Sequence, residues 1–443
     1  MKVELAGHYT IGRLVRTSLP IIVMLIVTSI YSVVDGLFVS VFAGNTEFAA
    51  LNIIWPVLAL IGAVGLMIGT GGSALVSKLL GEQNKEKAYS VFTLLVQVAI
   101  VSGLIFSILL FAFMRPIVIL LGAEGEMVGY AVTYGRIVVL SMPAFILQMA
   151  FQSFFMVAEK PQLGTIMSIM SGIVNIVLDF LLIIIFGLGL NGAAIGTAVA
   201  MAVGGIFPVI YFASGRHSSN LRFVRISGID WSSLFKSCTN GMSEYVGNVA
   251  LNVVSIGYNY QLMKYIGEDG VSAYGIIMYV GFIFAAVFIG YNICVSQVIS
   301  YNFGAGDRGE LRSLLKKSIV LISAAGIIVV ALAETSAPLL SGMFFDQNES
   351  LKSLATHAIR VYMISFLLCG FNMFCSAWFT ALNNGLVSAS AAFVRTLVFE
   401  LAAVFILPSL IGIDGIWYAV SVAEILAFLM SVTLVFAFRK RYL

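Results

Sequence analysis

Twelve long apolar runs, separated by short polar joints, decide what this chain can fold into. A helix needs about 20 consecutive apolar residues to cross a bilayer. Its backbone must be hydrogen-bonded within the segment, because lipid offers no partners. Only 10% of the residues are charged, whereas soluble proteins carry about 25%. We therefore predict an all-α polytopic membrane protein with twelve transmembrane helices, at 17–42, 48–76, 89–113, 128–157, 162–186, 192–213, 238–264, 271–300, 317–340, 355–380, 386–410 and 415–437.

Positively charged residues cluster on one side of this predicted arrangement. If the N-terminus is cytoplasmic, most of the 24 Lys and Arg residues fall in the terminal segments and in the loops near 78–87, 214–237 and 308–317. Cytoplasmic loops carry such an excess of Lys and Arg. We therefore predict a multi-pass protein of the cell membrane with both termini in the cytoplasm.

An internal repeat appears at a constant offset of 223 residues. Small residues recur at this offset in corresponding loops: Ser73, Ser77, Gly81, Gly189 and Gly192 as Ser296, Ser300, Gly304, Gly412 and Gly415. Six spans per repeat return the chain to the same side, so an axis along the membrane normal would relate the two halves. We predict two pseudo-symmetric six-helix lobes over 1–213 and 238–443, joined by a cytoplasmic connector over 214–237.

The first half places two carboxylates deep in predicted spans. Asp35 and Asp179 each lie about seven residues before the outer end of a span, ~10 Å deep at 1.5 Å per residue. Asn175 shares a helix face with Asp179, and Thr197 enters from the next span to a depth of ~8 Å. An acid at the membrane centre costs about 2.5–3.5 kcal/mol on insertion scales, so we interpret the four as a functional site.

Two chemistries suit this group. Burial and a second nearby carboxylate both favour the protonated acid, so Asp35 or Asp179 would carry a proton. Alternatively, Na⁺ would bind among the oxygens of all four residues with the acids ionised. The sequence leaves this choice open.

The repeat gives an internal comparison for these acids. At the same offset, the four positions are occupied by Tyr258, Val398, Ala402 and Val420. A purely architectural role would be needed in both halves, so this difference favours a functional role. Structurally satisfied carboxylates remain the alternative interpretation.

The second half carries a different set of buried charges. Glu400 in span eleven and Glu424 in span twelve both fall ~14–15 Å from the outer end, and Arg395 lies about one turn further in. Two interpretations stay open, contacts to substrate or coupling ion and a self-neutralising ion network. Glu244, near the inner end of span seven, completes the candidate set, although an anion there also suits a helix N-terminus.

Motifs of other protein classes are missing from the sequence. It has no phosphate-binding GxxxxGK[ST] loop, no His or Cys groups with metal-ligand spacing, and no basic cluster typical of nucleic-acid binding. We therefore predict a protein that is not an enzyme, carries no cofactor and does not bind nucleic acid.

Several motifs together give the chain a family resemblance: "SLPIIVMLIVTSIYSVVDGLFV", "SKLLGEQNKEKA", "NIVLDFLLIIIFGLGLNGAAIGTA", "SQVISYNFGAGDRGELR" and "IGIDGIWYAVSVAE". With these motifs, essentially the whole chain resembles the multidrug and toxic compound extrusion (MATE) transporters. The resemblance implies two six-helix lobes facing across a V-shaped cleft. It also implies alternating access and export of small organic compounds coupled to inward H⁺ or Na⁺.

The resemblance also assigns site residues. In many prokaryotic members, an Asp in span one, an Asn and Asp in span five, and an Ala and Thr in span six form a first-lobe cation site. These positions correspond to Asp35, Asn175, Asp179, Ala193 and Thr197. Other members place an acid pair on spans seven and ten. Span ten here has no acid, and "GMSEYVGN" around Glu244 departs from the commoner apolar form, which disfavours a sodium site of that kind.

Competing functions can be weighed on the same residues. A cation-coupled antiporter would export amphipathic, often cationic compounds, and we expect it to be a monomer. The alternative, a lipid-linked saccharide flippase of the same superfamily, would favour several basic residues in the cleft, whereas only Arg395 lies deep. A membrane-embedded enzyme would need a nucleophile and base at the bilayer surface, and a channel would need neither the repeat nor the acid pair. The sequence favours the antiporter.

Overall fold

The computed structural model describes residues 4–38, 42, 45–215, 219–226, 228–345 and 348–443, without the side chains of 31–38, 45 and 48. The described chain forms twelve helical units, numbered α1 to α12. The first six are α1 Ile11–Phe38, α2 Asn45–Gly81, α3 Lys85–Leu120, α4 Glu126–Val139 with Met142–Val157, α5 Pro161–Asp179 with a π-helical Phe180–Ile185, and α6 Gly189–Ala213. The others are α7 Trp231–Tyr265, α8 Glu268–Gly304, α9 Arg308–Phe345, α10 Glu349–Met363 with Phe366–Ala381, α11 Gly385–Phe393, π-helical Val394–Glu400 and Leu401–Ile411, and α12 Asp414–Tyr442.

These helices coincide with the twelve predicted spans. In the described part of the chain, nine helices are long and apolar enough to cross a membrane, and the two bent helices α4 and α10 raise this number to eleven. The bends are 61° in α4 and 45° in α10. The remaining helix, α7, has 35 residues and a more polar sequence. Some of its polar side chains bond inside the protein, as when the Asn240 amide donates 2.9 Å to the Thr380 carbonyl.

Polar side chains cap the starts of two helices. The Asn84 side chain accepts from the Lys87 N–H at the start of α3. Asp230 accepts from the Ser233 N–H at 3.0 Å and from its hydroxyl at 2.7 Å, and these bonds lower the pKa of the Asp230 carboxyl. Such caps stabilise a helix by about 1 kcal/mol. As a result α7 begins at Trp231, inside the segment that the sequence assigns to the connector.

Two hydrophobic cores lie side by side in the structure. One is built from residues between Ala50 and Leu221, and the other mainly from residues between Val254 and Tyr442. The inner half of α1 belongs to the second core, through Leu14, Ile21 and Met24. The first helix therefore links the two halves of the chain.

The two halves meet through contacts that obey the repeat. A Cβ on Gly81 would lie 2.0 Å from the Tyr301 carbonyl oxygen, and a Cβ on Gly304 would lie 2.0 Å from the Lys78 carbonyl oxygen. The offset of 223 residues relates Gly81 to Gly304 and Lys78 to Tyr301. The two contacts are therefore equivalent, as expected for a two-fold relation between α2 and α8. Main chains can approach this closely only where side chains are absent.

A buried glutamine lies beside these glycine contacts. Gln297 of α8 donates to Ser73 Oγ at 2.8 Å and accepts from Ser77 Oγ at 2.9 Å, so α2 and α8 are hydrogen-bonded as well as closely packed. Ser73 and Ser77 are two of the small residues that recur in the repeat. The halves are thus joined at the inner ends of their second spans.

The segment before α1, residues 4–10, crosses the same surface and contacts both halves. The Leu5 N–H donates 2.8 Å to Glu159, between α4 and α5, and the Tyr9 N–H donates 2.9 Å to Glu310 of α9. His8 Nδ1 also lies 2.5 Å from Glu310. The structure is closed between the halves on this side.

We predict that Gly304→Ala opens this closed side. The added methyl would overlap the Lys78 carbonyl oxygen, and overpacking of this kind costs about 1–3 kcal/mol. Spin labels at positions 85 and 308 should then report a longer distance by double electron–electron resonance. Gly275→Ala on the same helix, where a Cβ meets nothing within 4 Å, is the matched control. Identical distance distributions in parent and Gly304→Ala would contradict the proposed role of this contact.

Candidate functional site

The predicted site residues of spans five and six lie on facing surfaces of α5 and α6. The Ser171 hydroxyl of α5 donates 2.8 Å to the Ala200 carbonyl of α6. Two turns further out, Asp179 Oδ1 is 2.5 Å from where a Cβ on Gly196 would lie. Because Gly196 has no side chain, the Asp179 carboxylate can occupy this space.

Asp179 lies at this contact, and the other three predicted residues of these helices are within about one turn of it along the chain. Asn175 and Thr197 are 2% and 7% exposed, and Asp179 and Ala193 are fully buried. Within the described chain, Asn175 Oδ1 and Thr197 Oγ1 are buried without a hydrogen-bond partner. Buried polar atoms normally have such partners, so two unpartnered oxygens on helices that also bury a carboxylate suit a small bound cation or proton.

The backbone of α1 runs alongside this pocket. The Thr165 hydroxyl of α5 donates 2.6 Å to the Pro20 carbonyl of α1, near the inner ends of the two helices. Both helices run outward from there, so residues at equal distances along them share a level. Asp35 follows Pro20 by about as many residues as Asp179 follows Thr165, or ~21–22 Å of helix. The Asp35 side chain itself lies outside the described residues.

The helix changes its winding directly after Asp179. Residues Phe180–Ile185 form a π-helix, in which each N–H bonds five residues back. Single π-turns inside α-helices are frequent at functional sites. Gly192 of α6 then packs against Leu182. The irregular turn therefore lies against the outer part of the α5–α6 contact.

A second buried group of charges lies in the other half. Arg395 of α11 donates to Glu424 Oε1 of α12 from Nε at 2.9 Å and from Nη2 at 2.6 Å. The Asn372 amide of α10 donates to the other oxygen of Glu424 at 2.5 Å, and Ser431 donates to Asn372 at 2.9 Å. Removing one partner of such a pair is expected to be costly, because it leaves a buried charge uncompensated.

The other two predicted members of this group have different places. Glu400 is buried on α11, in the same π-helical segment as Arg395, which pairs with Glu424. Glu244 is half-buried near the inner end of α7, and it precedes Tyr258 of the same helix by ~21 Å. Three of the four charges therefore share one pocket, and Glu244 lies apart from them.

One functional contact was missed by reasoning from the sequence. Asn372, which binds both an oxygen of Glu424 and its main-chain carbonyl, is a lone amide in an otherwise apolar stretch of span ten. A single polar side chain in such a run would have been a usable signal, since intramembrane polar residues usually have partners. In the described part of the chain, no group of three or more His, Cys, Asp or Glu could hold a metal ion.

Comparison with known proteins identifies the family. A family model described as MatE matches residues 20–181 and again residues 245–406. The chain belongs to the MATE family. It is therefore a multi-pass membrane transporter, in a family whose members are not enzymes, and the predicted resemblance is confirmed.

Curated relatives extend the MATE similarity over nearly the whole chain. "Multidrug export protein MepA" of Staphylococcus haemolyticus (strain JCSC1435) is 27% identical over 432 residues, which cover 96% of this chain and 93% of that protein. MepA of Staphylococcus aureus (strain NCTC 8325 / PS 47) is 25% identical over 426 residues, with the same coverages.

Solved MATE structures share the fold. A MATE transporter in complex with MaL6 matches with a TM-score of 0.92 at 22% identity over 98% of both chains. A multidrug resistance MATE transporter described as outward-facing matches with a TM-score of 0.91 at 21% identity, also over 98% of both chains. The predicted twelve-helix MATE fold is thus confirmed.

We predict that Gly196→Ala disturbs the α5–α6 pocket without unfolding the protein. The new methyl would lie 2.5 Å from Asp179 Oδ1, so the carboxylate must move. A tenfold weaker effect of the coupling cation, equivalent to about 1.4 kcal/mol, is expected. The measurement is the shift in melting temperature of the purified protein as pH or Na⁺ is varied. Gly129→Ala, at a site with open space, should behave like the parent. A parental cation response in Gly196→Ala would refute this role.

Proposed function

We propose that the protein is a cation-coupled antiporter of the cell membrane that exports amphipathic, often cationic organic compounds by alternating access. The observation that carries this proposal is the α5–α6 pocket, where a buried carboxylate, an amide oxygen and a hydroxyl meet. Carboxylates inside a membrane domain mark ion or proton pathways. The coupling ion is H⁺ or Na⁺.

The coupling residues of this proposal are Asp35, Asn175, Asp179, Ala193 and Thr197. Buried carboxylates can be neutral with a proton or ionised around Na⁺, so the pocket exchanges one state for the other as it faces each side. Asp179 and Thr197 supply oxygens from the two facing helices, and Ala193 leaves room between them. Asp35 would supply the second carboxylate from α1, at the same level.

The gradients are large enough to drive export. One positive charge moving inward gains about 2.3 kcal/mol per 100 mV of membrane potential. Each unit of pH difference adds about 1.4 kcal/mol for a proton. The ion and the substrate would bind to different conformations of the same lobe. Each ligand shifts the population toward the conformation that it prefers, and this coupling links the two movements.

The proposed cargo follows from the relatives and from the charges. The MepA proteins are multidrug exporters by name, and they align with nearly all of this chain. A lipid-linked saccharide flippase would need exposed basic groups for an anionic headgroup. The deep base of this chain, Arg395, is already paired with Glu424. This pairing supports the antiporter over the flippase.

The proposal includes an arrangement in the membrane. Residues 1–213 and 238–443 form the two lobes, with 214–237 as the cytoplasmic connector. Both termini lie in the cytoplasm, so the closed side with its glycine contacts is cytoplasmic and the cleft faces outward. The transporter works as a monomer, since each chain contains both lobes and its own coupling site.

The test is transport by reconstituted protein. Proteoliposomes loaded with a fluorescent dye cation receive a proton gradient or a sodium gradient separately, with choline replacing Na⁺. We expect one gradient to drive dye movement, and we expect Asp35→Asn and Asp179→Asn each to lower this movement at least tenfold, because the ionisable group is lost.

The matched control is Asp269→Asn, which removes an exposed acid at the start of α8. It should transport at the parental rate. Parental rates in both Asp35→Asn and Asp179→Asn would refute the coupling site. Dye movement that responds to neither gradient in the parent would refute cation coupling itself.

A further inference from the structure

The buried charges of the second lobe divide into a fixed pair and a remaining acid. Glu424 receives two hydrogen bonds from Arg395 on one oxygen and one from Asn372 on the other. Asn372 is held in turn by Ser431. Both carboxylate oxygens of Glu424 are thus occupied, and its charge is balanced by the guanidinium.

Glu400 is the acid of this group that takes no part in these hydrogen bonds. It is 92% buried, with 8% of its surface exposed. In the part of the chain that the structure describes, Glu400 has no side-chain hydrogen bond and no ion pair closer than 4.0 Å. One guanidinium and two carboxylates form a neutral cluster only when one carboxylate holds a proton. Burying an uncompensated charge is costly, so the neutral cluster is the favourable one.

The π-turn of α11 directs Glu400 to this cluster. In an α-helix, residues five apart point in directions that differ by about 140°. In a π-helix the hydrogen bond joins residues five apart, so their side chains lie near one another. Arg395 and Glu400 are five apart within the π-helical Val394–Glu400. The irregular winding therefore brings the acid to the face that carries Arg395.

A cluster of tyrosines lies where α7 packs against α11 next to this acid. A Cβ on Gly257, the neighbour of Tyr258, would lie 2.8 Å from Leu401 Cδ1, and Leu401 is the neighbour of Glu400. The ring of Tyr258 lies 6.3 Å from that of Tyr362, centre to centre. Tyr258 stacks on Tyr274 with ring centres 4.7 Å apart. Within the described chain, the fully buried Tyr258 hydroxyl has no hydrogen-bond partner. A donor in need of a partner therefore lies near an acid in need of one.

We propose that Glu400 is a proton-binding site of the second lobe, with the Tyr258 hydroxyl as its hydrogen-bonding partner. Tyr258 is the residue that corresponds to Asp35 in the repeat. Each lobe thus has an acid near this position, supplied by span one in the first lobe and by span eleven in the second. This site adds a proton-binding step to the proposed antiport, and its role in transport rests on that function.

A proton fits this pocket better than Na⁺. The titratable groups on the helices packed around Glu400 are Arg395 of α11, Glu424 of α12, Tyr258 of α7, Tyr274 of α8, and Tyr362 and Cys369 of α10. The guanidinium repels a second cation, and Glu424 has no oxygen to spare. Na⁺ prefers several oxygen ligands, whereas a proton needs only the carboxylate and one neighbour.

The test detects the proton directly. Infrared difference spectra between low and high pH show a carboxylic acid C=O band that only a protonated acid gives. The purified full chain carries Asp35→Asn and Asp179→Asn together, so that buried acids of the first lobe do not contribute. We expect Glu400→Gln to lose a pH-dependent band, Glu400→Asp to keep one, and Tyr258→Phe to shift its frequency.

Controls and contrary outcomes are defined in the same experiment. Glu349→Gln removes an acid whose side chain is 82% exposed and should leave this band unchanged. An unchanged band in Glu400→Gln would overturn the proposal, as would a loss of the band when Na⁺ replaces choline at constant pH. If Glu400→Gln does not fold, an unshifted band in Tyr258→Phe is the overturning result. None of these readouts needs transport, so failure of the antiport proposal remains a separate result.

Discussion

A charge inside the bilayer must be neutralised or hydrogen-bonded, and this requirement organises the polar interior of both lobes. The second lobe meets it with a fixed pair, in which Arg395 and Asn372 occupy both oxygens of Glu424. In the first lobe, the buried carboxylate of Asp179 lies in the same helix contact as the buried oxygens of Asn175 and Thr197. The two lobes therefore share a fold and differ in how they accommodate acid.

The two repeats carry the same small residues where the lobes contact each other, whereas their candidate site residues differ. Gly81 and Gly304 make the same contact from opposite sides, because a two-fold interface requires the same small residue twice. Gly189 and Gly412, which are also repeat partners, both adopt a positive φ at the outer turns, of 51° and 71°. The candidate site residues are under no such requirement. The acid of one lobe can therefore be absent from the equivalent position of the other lobe, where a different helix can supply the charge.

Most of the fold could be predicted from the sequence, since apolar length and charge bias determine where a chain crosses a membrane. The similar levels estimated for Arg395 and Glu424 agree with their pairing in the structure, because rise per residue is nearly constant in helices. The direction in which each side chain points around its helix could not be predicted. A gap-free comparison of the halves places no acid at the second-lobe positions of the set, yet Glu400 is buried next to Leu401, where α11 packs against α7 beside Tyr258. The π-turn at Val394–Glu400 explains the difference, since it rotates side chains relative to an α-helix.

The first helix shows how a local site could affect the whole molecule. Its inner half packs into the second core, where Ile22 lies against Gly290 of α8 with no side chain between them. Its outer half runs beside α5 at the level of Asp179. A helix is a stiff connection, so a change in its tilt at one end must be met by a change at the other. Contacts of α1 with both lobes therefore provide a physical link between the proposed ion site of the first lobe and the closed side of the molecule.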